Sequence, residues 1–159
     1  MHILKGIMVA MAVTAAGIQS SAAEEKVMYC EVAVVGGGAA GVGAAIEAAR
    51  HGKHVILFEK GVSLGGLATN GYVPTVAGNI EGVCLDFVKR MDSLGYMKCR
   101  ERTDGEYHSP VFDPELGKIV LEEMTQRAGA RIMYDCTCCE AIVNNAGTRL
   151  TGAVFHTKG

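Results

Sequence analysis

The sequence predicts an α/β chain in which a parallel sheet is flanked by helices and followed by a late antiparallel β-hairpin. Three observations predict it. Val32–Lys60 runs from an apolar stretch through a small-residue stretch to a second apolar stretch. Two helical patterns follow, ending at Gly95 and Gly129, with a third β-rich run, Arg131–Tyr134, directly after. Finally, Glu140–Asn144 and Leu150–Thr157 flank the turn residues Asn145-Ala146-Gly147. Strands alternating with helices favour a parallel sheet, and two runs across a short Gly-containing turn favour a hairpin.

Val32-Ala33-Val34-Val35 is a short apolar run that stops abruptly at glycines, the pattern of a buried strand. Gly36-Gly37-Gly38-Ala39-Ala40-Gly41 supplies G-x-G-x-x-G, and the small residues to Arg50 form a helix closed by Gly52. Val55–Phe58 is a second strand, ending at Glu59-Lys60. Together these make a Rossmann-like βαβ unit carrying the dinucleotide fingerprint. Gly36 permits the tight turn, Gly38 leaves room for a pyrophosphate, and Gly41 lets the helix approach the sheet. The helix N-terminus offers unpaired N–H groups and partial positive charge to a diphosphate. Glu59, 18 residues beyond Gly41, is placed to accept from both ribose hydroxyls of an adenosine and to repel a 2′-phosphate.

Beyond Glu59 lies Ser63-Leu64-Gly65-Gly66-Leu67-Ala68-Thr69-Asn70-Gly71, a second glycine pair suited to a loop lying along an extended dinucleotide. Tyr72–Val76 is extended and held by Pro74. Asn79 is placed to cap a helix whose apolar positions are Ile80, Val83, Cys84, Phe87, Val88, Met91 and Leu94. Cys99–Pro110 is polar and predicts an irregular surface loop. Asp113-Pro114-Glu115 is a helix start, and Leu116, Ile119, Val120 and Met124 are expected to bury that helix.

The glycine loop, the second-strand Glu-Lys and S-L-G-G-x-A-T-x-G together resemble the FAD-dependent oxidoreductases with two dinucleotide-binding domains. The nearest resemblance is to the branch linked to heterodisulfide-reductase-like flavoproteins, and it spans about residues 30–159. The resemblance implies an FAD/NAD(P)-binding fold with FAD as cofactor. Gly36, Gly38, Ala39, Ala40 and Gly41 would then surround the pyrophosphate. Glu59, with Lys60 beside it, would hold the adenosine ribose, and Gly65, Gly66 and Thr69 would approach the ribityl chain or flavin edge. In that family the hairpin precedes an Ala-Thr-Gly-Asp-like segment and a substrate domain. Neither occurs before Gly159, so the expectation is a truncated N-terminal piece, inactive alone, whose small-molecule substrate would be bound by the missing part and for which no catalytic acid or base is named. Two other readings stay open: an NAD-binding dehydrogenase and a non-catalytic nucleotide-binding remnant.

Residues 1–23 are expected to be a signal peptide. His2 and Lys5 precede the uncharged, largely apolar Gly6–Ile18, and Ser20-Ser21-Ala22-Ala23 offers small residues for cleavage before Glu24. That leaves 24–159 as the nucleotide-binding domain, exported to the periplasm or secreted, with no stable membrane anchor. The net charge is −2 and basic residues do not cluster, so nucleic acid is not an expected partner. Six cysteines include Cys136-Thr137-Cys138-Cys139. That run lacks the strand-to-helix setting that activates a thiol, and extended backbone splits its side chains between two faces. They are expected to pack as small apolar residues, and no metal site is predicted. His51 and His54 straddle Gly52 as exposed helix-end residues. No G-x-S-x-G, Walker A, H-E-x-x-H or Ca²⁺-loop pattern occurs, so hydrolase and kinase readings have no support.

Overall fold

A computed structural model of the chain describes residues 7–13, 25–98, 101–103 and 106–157. The cleavage region Gln19–Glu24, together with Cys99, Arg100 and Asp104, lies outside the described residues. The strands are β1 (Ile7–Val13), β2 (Glu25–Cys30), β3 (Val32–Val35), β4 (Val55–Phe58), β5 (Met97–Lys98), β6 (Glu101–Thr103), β7 (Glu106–His108), β8 (Val111–Phe112), β9 (Arg131–Met133), β10 (Cys136–Val143) and β11 (Leu150–Thr157). The helices are α1 (Ala39–Arg50), α2 (Gly82–Ser93) and α3 (Pro114–Arg127).

The centre is a parallel sheet in the order β3-β4-β9. All four residues of β4 are buried, as a strand covered on both faces requires. Alternation along β4 assigns them to two layers. Val55 and Leu57 join Val42, Ile46, Val88, Met91 and Val120 beneath the three helices. Ile56 and Phe58 face Met28, Cys30, Cys136 and Phe155 on the other side. Phe58 stacks on Phe155 with ring centroids 4.1 Å apart and planes 18° from parallel. The second layer is a four-stranded sheet in the order β10-β11-β1-β2.

β1 falls within the stretch expected to be a leader. It pairs in parallel with β11 and antiparallel with β2, and so occupies an interior place in the second sheet. The hairpin is longer than expected, because β10 begins at Cys136 and a bulge falls between Cys138 and Glu140. Cys30 and Cys136 are buried, but Cys138 and Cys139 are exposed and do not pack as small apolar residues. Asn144 closes the turn by accepting from the backbone N–H groups of Thr148 (2.9 Å) and Arg149 (3.1 Å).

Three local expectations are corrected. The N-cap of α2 is Glu81, not Asn79, and it makes no side-chain capping bond. The stretch 99–110 is not an irregular loop throughout: β6 pairs with β7, while β5 and β8 pair on either side of it. In α3 the buried face is Gly117, Val120, Leu121 and Thr125, and Ile119 is exposed. The N-cap of α3 follows the sequence, with the Asp113 carboxylate accepting from Glu115 N (2.9 Å) and Leu116 N (3.0 Å).

Candidate functional site: the glycine loop and its acidic partner

The loop between β3 and α1 leaves the sheet through Gly36, whose φ of +101° is open to glycine and strained for other residues. Its N–H donates to Phe58 O at 2.7 Å, tying the loop to the end of β4. At Gly38 the backbone is extended, and a Cβ there would meet no protein atom within 4 Å. The fold itself therefore does not exclude a side chain at Gly38; the space is open for a ligand. Gly41 differs. A Cβ there would land on the carbonyl oxygen of Gly36, so close packing of loop on helix is what demands this glycine.

Ala39 and Ala40 are exposed at the start of α1, which has no acidic residue in its first turn. The amide groups of that turn form an anion-binding end. Across the loop, Glu59 is half-buried and fixed by two backbone donors: Gly37 N to Oε2 at 2.5 Å and Gly61 N to Oε1 at 2.7 Å. One bond to each oxygen leaves further lone pairs for ribose hydroxyls. Lys60 is exposed beside it.

The second glycine pair folds back onto the first. Gly65 N donates to Gly37 O at 2.8 Å, and Gly38 and Gly65 form a parallel β-bridge. Gly65 has φ +100° and Gly66 φ +55°. A Cβ on Gly66 would approach Gly38 Cα to 3.2 Å, so the two pairs touch backbone to backbone. Of the expected set, Gly36, Gly38, Ala39, Ala40, Gly41, Glu59, Lys60, Gly65 and Gly66 thus gather around one loop. Thr69 packs directly against Gly65 from the buried side. Its side chain is fully buried and its hydroxyl donates to Leu64 O at 2.6 Å, so it braces the second turn from inside.

Sequence reasoning passed over Gly37 and Gly61, whose N–H groups orient Glu59. The middle glycine of Gly36-Gly37-Gly38 was the available signal. A Cβ on Gly37 would press on Leu64 and on the Glu59 carboxylate, so the position must stay bare for that carboxylate to dock.

The family described as FAD dependent oxidoreductase matches residues 31–159. The chain belongs to this family. FAD is accordingly the cofactor to test against the loop, and the open space at Gly38, the acid-free start of α1 and the doubly anchored Glu59 all fit it. A stretch of 65 residues is 43% identical to dihydrolipoyl dehydrogenase of Bacillus subtilis strain 168, covering 40% of this chain and 14% of that one. Among solved structures, the chain is similar to THI4 of Thermovibrio ammonificans, with TM-score 0.53 and 21% identity. The match covers 77% of this chain and 46% of that one. It is also similar to a geranylgeranyl bacteriochlorophyll reductase-like protein of Thermoplasma acidophilum, with TM-score 0.55 and 16% identity, over 81% of this chain and 37% of that one. These two likenesses bear on the fold, a parallel sheet with helices and an antiparallel excursion. The chain spans less than half the length of each of these three relatives.

Among the described residues of this flavoprotein-family chain, no group of three or more His, Cys, Asp or Glu side chains is placed to hold a metal ion. No helix among them is long and apolar enough to cross a membrane.

Proposed function

We propose that this chain is the FAD-holding part of a flavin-dependent oxidoreductase acting on a small molecule and completed by a separate substrate-binding part. The carrying observation is the docking of Gly65-Gly66 onto Gly36-Gly37-Gly38, a contact that a plain NAD-binding βαβ unit does not require. When bound, the cofactor supplies the hydride- and electron-transfer chemistry. The protein's own residues bind and orient it. The first-turn amides of α1, with Gly36, Gly38, Ala39, Ala40 and Gly41, take the diphosphate; Glu59 takes the adenosine ribose, with Lys60 at its rim. Gly65 and Gly66, docked against Gly38, would approach the ribityl chain or flavin edge.

The specific sub-branch linked to heterodisulfide-reductase-like flavoproteins belongs to this proposal on the strength of the S-L-G-G-x-A-T-x-G stretch. Export through residues 1–23 belongs to it as well, supported by the apolar run ahead of Ser20–Ala23. A mature N-terminus at Glu24 in protein recovered from the native host supports export, and an N-terminus at Met1 or His2 counts against it.

Titration of the purified chain with FAD and, separately, NAD decides the cofactor reading. Saturable quenching of flavin fluorescence with weak or absent NAD binding is expected. Tight NAD binding with no flavin binding would overturn the proposal in favour of a dehydrogenase-type module.

A further inference from the structure

Next to the glycine loop, a cavity of about 560 Å³ opens between α1, α2 and the extended segment 75–77. That volume lies in the range of small-molecule sites, roughly 300–1,000 Å³. Val42, Val83, Phe87, Phe112 and Leu121 give it apolar walls, and the edge-to-face pair Phe87–Phe112, 5.0 Å between centroids, makes one side rigid. Ala39 and Gly65 also line it, so the cavity reaches the glycine loop itself.

Its charge is one-sided. Glu47 and Glu81 line it, whereas no Lys, Arg or His among the described residues does. Glu47 already accepts from Arg50 Nη1 at 2.8 Å. Glu81 is exposed at the N-cap of α2, lines the cavity and makes no side-chain capping bond.

Gly43 supplies a second, independent observation. It sits inside α1 and lines the cavity, its φ is not positive, and a Cβ there would meet nothing within 4 Å. Glycine in a helix interior costs about 1 kcal/mol relative to alanine. Neither backbone conformation nor packing requires glycine here, in contrast to Gly41 two residues earlier. What Gly43 does is leave a wall of the cavity bare.

We propose that this cavity is a binding site for an apolar small molecule with a cationic amine head. The apolar body lies against Phe87, Phe112 and Leu121, in the space left by Gly43, and the ammonium pairs with Glu81. The inference needs no particular cofactor on the glycine loop.

n-Octylamine and n-octanoate, which share an alkyl body and differ in head charge, are the probes, added to the full chain and followed by calorimetry and ligand-observed NMR. Octylamine is expected to bind at least tenfold more tightly than octanoate, with the gap lost in Glu81→Gln. Gly43→Leu fills the cavity at a position where the helix accepts a side chain. It is expected to weaken octylamine binding at least tenfold while the thermal midpoint stays level or rises. Octylamine binding that is absent, or unchanged in Gly43→Leu, overturns the site; equal binding of the two probes overturns the cationic head. If Gly43→Leu fails to fold, Ala77→Leu on the opposite wall reads the same loss. Because Ala39 and Gly65 border both sites, octylamine binding is measured with and without saturating FAD: binding retained beside bound FAD supports a separate site, and binding abolished by FAD overturns it as distinct from the cofactor site.

Discussion

Replacing Gly38 by alanine tests the cofactor site with little disturbance of the fold. The backbone there, φ −68° and ψ 178°, is open to any residue, and the added methyl meets no protein atom within 4 Å. Alanine is a poorer N-cap than glycine by about 1 kcal/mol, and it recovers about 0.4–1 kcal/mol by restricting the unfolded chain. Folding stability should therefore change by less than about 1 kcal/mol. The methyl does occupy the space assigned to the diphosphate. Displacing that group from even one backbone N–H forfeits a hydrogen bond to a charged acceptor, about 1.5–3 kcal/mol, or roughly 10- to 150-fold in Kd. Gly41→Ala is the contrasting control, because its methyl collides with the Gly36 carbonyl and the loop must move, costing about 1–3 kcal/mol of stability. Flavin-fluorescence titration gives the affinities and urea unfolding gives the stabilities. Unchanged FAD affinity in a folded Gly38→Ala protein would refute the assignment of the diphosphate to this space.

Two further predictions concern the framework. Asp113→Ala should remove the side-chain cap of α3 and lower stability by about 1 kcal/mol in urea unfolding, with Asp113→Asn retaining most of it; no difference between the two variants would refute the capping account. Tyr134 donates to Glu122 Oε2 at 2.9 Å, and burial first, then that bond and the nearby carboxylates, push its phenol above the ordinary tyrosine value. A pKa raised on folding contributes stability that is present below the unfolded tyrosine value, about 10, and is lost as pH rises toward the folded value. The urea midpoint should therefore fall more steeply between pH 9 and 11 in the parent than in Tyr134→Phe, and parallel slopes would count against the assignment.

The βαβ unit was legible because its signals are local: β-branched runs, glycines at fixed offsets and an acid at the end of the second strand. Glu59 could be named from spacing alone, but its anchoring by Gly37 and Gly61 depends on how two loops meet. Thr69 illustrates the opposite limit. Its place in S-L-G-G-x-A-T-x-G suggested a ligand contact, and the turn instead folds its hydroxyl back onto Leu64 O. Asn79 has good capping chemistry, yet α2 starts three residues later at Gly82, where the chain turns with φ +54°. Ile119 matched a helical apolar stripe, but the buried face of α3 runs through Gly117, where a Cβ would press on Phe112, and through Val120 and Leu121. Residues 101–103 and 106–108 pair as a short two-stranded ribbon without an apolar alternation to announce it.

The interior place of β1 gives Ile7–Val13 a structural meaning beside their place in the proposed leader. β2 has β1 as its neighbour in the sheet, and β11 has β1 on the side away from β10. The proposed cut before Glu24 would therefore take a rib from the middle of the sheet, leaving a gap of roughly two strand spacings, about 9–10 Å, between two open ladders. Met28 and Cys30, which cover Ile56 and Phe58, are carried on the strand left without its neighbour. Time would then enter the architecture: under the proposed export, a chain that folds before it is cut and one that is cut before it folds would start from different sets of strands.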